Sequence, residues 1–355
     1  MTYSLEDQIG QMILLGFRGT TADPQSTVLR WIRDCRIGGV YLSENETPMG
    51  RTVGNIESPD QLRRLTQTLQ GASRIPLFVT LDAEGGQVIR LKERYGFPPT
   101  RSAQELGTHD DVTQTRQQSA QLARTLRAVG VNLNFAPVLD LNRNPHNRAL
   151  NAKQRCYSDD PDVVTRHARV VIEEHHRERI GCVLKHFPGH GSTVADSHLD
   201  LADVSDTWSP DELGPFRRLI ALDLADGVMT AHVLLRRYDA ERPATLSRPI
   251  LTDLLRNELG FGGVLLSDDL DMGAIQRNFP YEEAVAQAVE AGVDIVLNAN
   301  VDTYDDFTAE RTFAVLMEHV KTGRLSRGRI EESFTRIMTL KHRLGLEQPP
   351  GVTAR

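Results

Sequence analysis

The sequence predicts an α/β protein: a single-domain (β/α)8 TIM barrel occupying residues 1–355. Three observations predict it. Eight short apolar runs recur along the chain. Segments with helical patterning separate them. Charged or amide residues stand at the ends of the last six runs. Alternation of strands and helices over this length is the bookkeeping of a closed parallel barrel.

The runs, in order, are Gly10–Phe17, Gly38–Leu42, Leu77–Asp82, Val131–Val138, Cys182–His186, Gly227–His232, Val264–Asp268 and Ile295–Asn298. Each has the length of a strand. Most are rich in leucine and β-branched residues and do not alternate with polar ones. That is the pattern of parallel strands covered on both faces.

Helices are expected between them. Ser58 introduces Pro59–Gln70, and Thr108 or Asp110 introduces Asp111–Val129, as capping residues that accept a first-turn N–H. Asp160–Arg179, Pro210–Leu224, Pro249–Glu258, Tyr281–Ala291 and Thr303–Thr322 follow the same logic. Pro59, Pro161 and Pro210 occupy first-turn positions, where a missing N–H costs nothing. Ser326–Leu344 reads as a closing helix, and 346–355 as a polar C-terminal tail. No repeat, linker or low-complexity tract divides the chain. A doubly wound sheet is the alternative, but it needs an edge reversal, and no GxGxxG follows the first run.

Composition narrows the class. Hydrophobic residues make up 39% and charged residues 25%, as in ordinary globular proteins. Net charge is −7, from 41 basic and 48 acidic residues, and no basic run stands out, which argues against a nucleic-acid partner. No apolar stretch is long enough to cross a bilayer, and no secretory signal is visible at the start. Cys35, Cys156 and Cys182 are odd in number and widely spaced, so a disulfide framework is not expected and a reducing compartment is. A cytoplasmic monomer without membrane partners is the expectation.

The most informative stretch is Leu184–His198, LKHFPGHGSTVADSH. It combines histidines, glycines, a proline, a lysine and an aspartate as the fifth run opens into a loop. Polar groups gathered on a loop above a rigid strand are where chemistry sits. The other run ends agree. The third ends in Asp82-Ala83-Glu84-Gly85-Gly86 with Arg90 after it, and Asp140 follows the fourth. His232 ends the sixth, Ser267-Asp268-Asp269 the seventh and Asn298-Ala299-Asn300 the eighth. On one rim of a barrel these make a binding site.

KHFPGHG followed by Asp196-Ser197-His198 resembles the signature of family 3 glycoside hydrolases, closest to single-domain bacterial β-N-acetylglucosaminidases of the NagZ type. Asp82-Ala83-Glu84-Gly85-Gly86 with Arg90 is similar to that family's DxEGG-xxx-R segment. Ser267-Asp268-Asp269-Leu270 with Met272 is similar to its SDDLxM segment, and Arg155 lies in a partial match to its Arg-x-Phe-Gly-x-Asp-Pro. The resemblance runs from about residue 5 to 345. Departures are Ser192 for an aspartate after GHG, Tyr157-Ser158 for Phe-Gly, and Ala83 and Gln87 for a glutamine and an arginine.

The resemblance implies a retaining exo-β-N-acetylglucosaminidase that removes terminal β-linked N-acetylglucosamine from peptidoglycan fragments or chitooligosaccharides, with no cofactor and no metal. Retention needs a carboxylate nucleophile beneath the anomeric carbon and an acid above the leaving oxygen. The resemblance assigns the nucleophile to Asp268 and the acid/base to His198 paired with Asp196. A carboxylate two residues from an imidazole can hold its tautomer and stabilise its cation. Asp82, Arg90, Arg155, Lys185 and His186 are implied to grip the sugar hydroxyls. His190 is read as a brace of the loop; for His232, substrate contact and a framework role both stay open.

Three rival readings stand beside this one. A metal-dependent barrel hydrolase could ligate its ion through His186, His190, His198, Asp196 and Asp268, although no HxH ends the first run. A non-catalytic sugar-binding protein would keep Asp82, Arg90 and Lys185 but has no need of the Asp196–His198 pair. A β-glucosidase or β-xylosidase of the same family is the third. The loop from Phe187 to Asp203 is expected to be mobile, because its small residues offer little to pack.

Overall fold

The computed structural model describes residues 3–44, 54–193, 201–301 and 304–346. Eight parallel strands form its centre: β1 (Ile13–Gly16), β2 (Gly39–Tyr41), β3 (Phe78–Leu81), β4 (Leu133–Asn134), β5 (Gly181–Phe187), β6 (Gly227–Thr230), β7 (Val264–Leu266) and β8 (Val296–Asn298). Hydrogen bonding runs from β7 through β6, β5, β4, β3, β2 and β1 to β8, and a parallel bridge between Leu266 and Ile295 closes the ring. The runs read from the sequence are these strands, so the chain is a (β/α)8 barrel. Every residue of the eight strands is buried, which explains why none alternates with polar side chains.

The strands are shorter than the runs. β4 covers two residues where an eight-residue run was expected, because Pro137 has no N–H to give to a ladder. Its neighbour takes what remains: Lys185 N–H donates to Pro137 O at 3.3 Å, and Leu139 N–H to Lys185 O at 2.6 Å. The Asp82 and Asp268 side chains therefore lie just past the strand ends, at the rim.

The helices follow the predicted order with local differences. Ser58 caps Pro59–Ala72 through Gln61 N–H, and Asp160 caps Pro161–Arg177 through Asp162 N–H. The expected helix Pro210–Leu224 is split. Pro210–Leu213 is a 3-10 turn and Gly214–Ala221 an α-helix, with Pro215 in its first turn. Pro249–Glu258 forms a π-helix, and Thr308–Lys321 begins later than the sequence suggested. Val112–Ala128 and Arg327–Arg343 match closely. Among the described residues, no helix is long and apolar enough to cross a membrane.

The loop expectation needs correction. Phe187 belongs to β5, and His190, Ser192 and Thr193 are 5%, 3% and 0% exposed. At the other end Ala202–Asp203 pairs in parallel with Val233–Leu234. Small residues here permit close backbone approach, so the two ends of the loop are packed. Residues 194–200, which include Asp196 and His198, lie outside the described residues.

Candidate active site

A cavity of about 460 Å³ opens at the C-terminal ends of the strands, within the usual range for small-molecule sites. Asp82, Arg90, Arg155, Lys185, His186 and Asp268 all line it. The structure thus brings together every sequence-predicted site residue that it describes.

The segment after β3 explains how Asp82 and Arg90 meet. Ala83–Gly85 pairs antiparallel with Val88–Ile89 through a tight turn. Gly86 sits there at φ +56°, where a side chain is disfavoured. The hairpin returns the chain so that Arg90 N–H donates to Asp82 O at 2.9 Å. Arg90 Nη2 then donates to Asp82 Oδ2 at 2.9 Å, and Tyr41 Oη donates to the same oxygen at 2.7 Å. Lys185 Nζ, from β5, reaches Asp82 Oδ1 at 2.6 Å and Glu84 Oε1 at 2.7 Å.

Glu84 is the member the sequence reading passed over. Its two oxygens accept Arg155 Nε at 2.8 Å and Nη2 at 2.7 Å, a bidentate pair. The cations and carboxylates alternate: Arg155, Glu84, Lys185, Asp82, Arg90, and then Glu44 at 3.4 Å. Burial pushes the Asp82 and Glu84 carboxyls up, but neighbouring cations outweigh it: Lys185 and Arg90 at Asp82, Arg155 and Lys185 at Glu84. Both carboxyls end below their ordinary range. Each charge in this floor is matched by another, and the hydrogen-bonding fork is fixed in place.

Beside this floor, Asp140 holds two histidines. Its Oδ2 accepts His186 Nδ1–H at 2.6 Å, and its Oδ1 accepts the His190 amide at 2.7 Å. This turns His186 Nε2 toward Arg155 Nη2, 3.4 Å away. His190 braces the loop through its backbone, and burial lowers its imidazole to about 4. His232 does not line the cavity; it is 1% exposed and bonds Thr245 Oγ1 at 2.7 Å and Asp269 O at 2.8 Å. Cys156 is buried, and burial holds its thiol well above the usual range, which leaves it inert.

Asp268 follows β7 and is anchored through its backbone. Its N–H donates to Thr230 Oγ1 at 3.2 Å. Burial pushes its carboxyl up, but the nearby His232 and His186 outweigh that, and it stays below its ordinary value. Asp269 behaves oppositely: burial, with Asp271 nearby, pushes it up to about 8. Among the described residues, no group of three or more His, Cys, Asp or Glu side chains could hold a metal ion. Two ligands of the metal reading, Asp196 and His198, lie outside that set. An ionised carboxylate at the floor of a cleft, beside a rigid donor–acceptor array, can attack an electrophilic carbon held by its hydroxyls.

The chain is similar to several known proteins. Residues 4–340 match the model of the glycosyl hydrolase family 3 N-terminal domain. The chain is 36% identical to a β-hexosaminidase of Xylella fastidiosa, over 83% of this chain and 85% of that protein. It is 33% identical to β-hexosaminidase A of Pseudoalteromonas piscicida, over 95% of this chain but 60% of that protein. Among solved structures, a family 3 β-N-acetylglucosaminidase from Paenibacillus superposes with a TM-score of 0.89 at 32% identity, covering 100% of this chain and 65% of the other. A β-N-acetylhexosaminidase from Beutenbergia cavernae gives 0.85 at 26% identity, with 96% and 99% covered.

Proposed function

The chain belongs to glycoside hydrolase family 3, and from that premise we propose that it is a retaining exo-β-N-acetylglucosaminidase acting on terminal β-linked N-acetylglucosamine. The observation that carries the reading is the contrast at the end of β7. One carboxyl, Asp268, is held ionised at the cavity floor, while its neighbour is not. Names of relatives support the sugar: two of them are β-hexosaminidases and one structure is a β-N-acetylglucosaminidase.

In this reading Asp268 attacks the anomeric carbon and forms a covalent glycosyl-enzyme, which water then hydrolyses. Asp82, Arg90, Arg155, Lys185 and His186 hold the sugar hydroxyls. Two described carboxylates of the floor are engaged by cations, Asp82 by Lys185 and Arg90 and Glu84 by Arg155 and Lys185. The protonated Asp269, which also lines the cavity, is tied through Oδ1 to the Asp271 and Ala299 amides as a loop brace. That supports an acid from elsewhere, namely His198 with Asp196 as its partner. The imidazole protonates the leaving oxygen, then takes a proton from the incoming water. The natural substrate is a peptidoglycan fragment or chitooligosaccharide, hydrolysed by a cytoplasmic monomer.

The experiment compares aryl β-N-acetylglucosaminide with aryl β-glucoside and follows the released sugar by early-time NMR. Faster turnover of the N-acetylglucosaminide with the β-anomer first is expected. Equal rates on both would move the assignment to a β-glucosidase or β-xylosidase of the same family. An α-anomer first would overturn retention.

A further inference from the structure

The chain leaves β5 through Pro188 into a buried stretch, Gly189–Thr193, which leads toward the proposed acid. Two side chains that do not line the cavity grip this stem. Asn147, 2% exposed, comes from the loop after β4. Its Nδ2 donates to His190 O at 3.0 Å and to Thr193 Oγ1 at 2.8 Å, while its Oδ1 accepts Leu150 N–H at 3.0 Å. Glu212, 1% exposed, comes from the turn Pro210–Leu213. Its Oε2 accepts Gly191 N–H at 3.1 Å.

One side chain therefore takes the stem's carbonyl groups and the other takes its amide. The fit is close. Gly189 stands at φ +122°, and a Cβ there would lie 2.6 Å from Glu212 Cβ, so the Glu212 side chain fills the space that a larger residue would need. Asn144 Nδ2 adds a bond to Thr193 O at 2.6 Å, and Trp208 Nε1 one to Pro188 O at 3.0 Å. Burying polar groups costs free energy that hydrogen bonds offset, and the bonds of Asn147 and of Glu212 Oε2 favour this placement of the stem.

We propose that Asn147 and Glu212 are positioning residues for the reaction: by gripping Gly189–Thr193 on its carbonyl and amide sides, they set the direction in which the chain departs toward Asp196 and His198. This rests on the reading that those two residues supply the proton. Neither Asn147 nor Glu212 touches substrate; each acts through the stem. General-acid catalysis demands placement within hydrogen-bond reach of the leaving oxygen. Small displacements of its root are felt there more than at the Asp268 backbone, which is tied to Thr230 on β6.

The test measures kcat and KM on methyl and 4-nitrophenyl β-N-acetylglucosaminides for N147D, E212M, E212Q and H198A, with thermal unfolding of each. N147D keeps the size and the Leu150 contact but loses the donors. E212M keeps volume without an acceptor, and E212Q retains one. For N147D and E212M, kcat on the methyl glycoside is expected to fall about 10- to 100-fold more than on the nitrophenyl glycoside. E212Q is expected to keep the native ratio. H198A fixes the reference for losing the acid. If H198A discriminates between the substrates while N147D and E212M do not, the inference is overturned and the acid assignment stands. If H198A does not discriminate, the acid assignment falls and the inference falls with it. Should E212M fail to fold, N147D decides alone.

Discussion

Asp268 and Asp269 are adjacent in sequence and opposite in charge state. Asp268 Oδ1 accepts the Asp269 amide at 2.8 Å, whereas Asp269 Oδ1 turns away to accept the amides of Asp271 and Ala299, each at 3.0 Å. The first carboxyl is held below its ordinary value; the second is pushed up to about 8. One strand end thus supplies a nucleophile and a loop brace from two identical side chains.

The first prediction follows from that contrast. Asp268→Asn should lose about 10⁴-fold or more in kcat on a nitrophenyl glycoside, because Asp82 is paired with cations and Asp269 is held protonated, so neither can replace it as nucleophile. Asp269→Asn should lose far less. At neutral pH its carboxyl is already largely protonated, and an amide oxygen still accepts the Asp271 and Ala299 amides. A slow-leaving fluorinated sugar should label Asp268 alone, read by peptide mass spectrometry. Comparable losses in the two variants would remove the assignment.

The second prediction concerns the alternating charges at the floor. Glu84 and Lys185 have side-chain exposures of 3% and 2% and lie 2.7 Å apart. Glu84→Gln removes the bidentate partner of Arg155 and leaves Lys185 paired with Asp82 alone. Breaking a buried pair by removing one partner costs about 3–5 kcal/mol. The variant should therefore unfold at a markedly lower urea midpoint with an unchanged slope. KM should rise as well, since the Arg155 and Lys185 donors lose their fixed directions. A midpoint like that of the parent protein would show that the pairing is not needed for the fold.

Much of the barrel was legible because periodicity is local. Eight non-alternating runs and proline-capped helices required no knowledge of distant contacts. The polar run ends also exposed Asp82, Lys185 and Asp268, since a rim needs only strand ends to be recognised. The same reasoning, extended to the second run, points to Tyr41 and Glu44 at its end. Glu84 was harder. Its meaning depends on Arg155, 71 residues away, and on Lys185, and only the closed barrel brings them together. Glu212 was hidden for another reason. An acidic residue just after a proline at a helix start is normally read as a solvated partner of the helix dipole. The packing of Gly189–Thr193 is not legible in the sequence, because these residues are small so that Asn147 and Glu212 can approach.

The third prediction is a pH dependence of stability carried by Glu212. Burial, reinforced by the negative charge of Asp140, pushes its carboxyl from 4.5 up to about 7, with Ser192, the Gly191 amide and Arg143 opposing. In the unfolded chain it titrates in the ordinary carboxylate range. The folded state therefore favours the protonated form. Its contribution is fully present below about pH 4.5 and is lost as pH rises through about 7. The difference corresponds to about 3 kcal/mol across that window. Glu212→Gln imitates the protonated carboxyl at every pH. The two proteins should have similar urea midpoints near pH 4.5 and should diverge toward pH 8, the variant being the more stable. Groups remote from this carboxyl titrate alike in both proteins, so the growing gap belongs to Glu212 and its coupling to Asp140. A gap that stays constant across the range would mean that the buried carboxyl keeps its ordinary pKa. In that case the Gly191 amide is held by a carboxylate and not by the neutral acid.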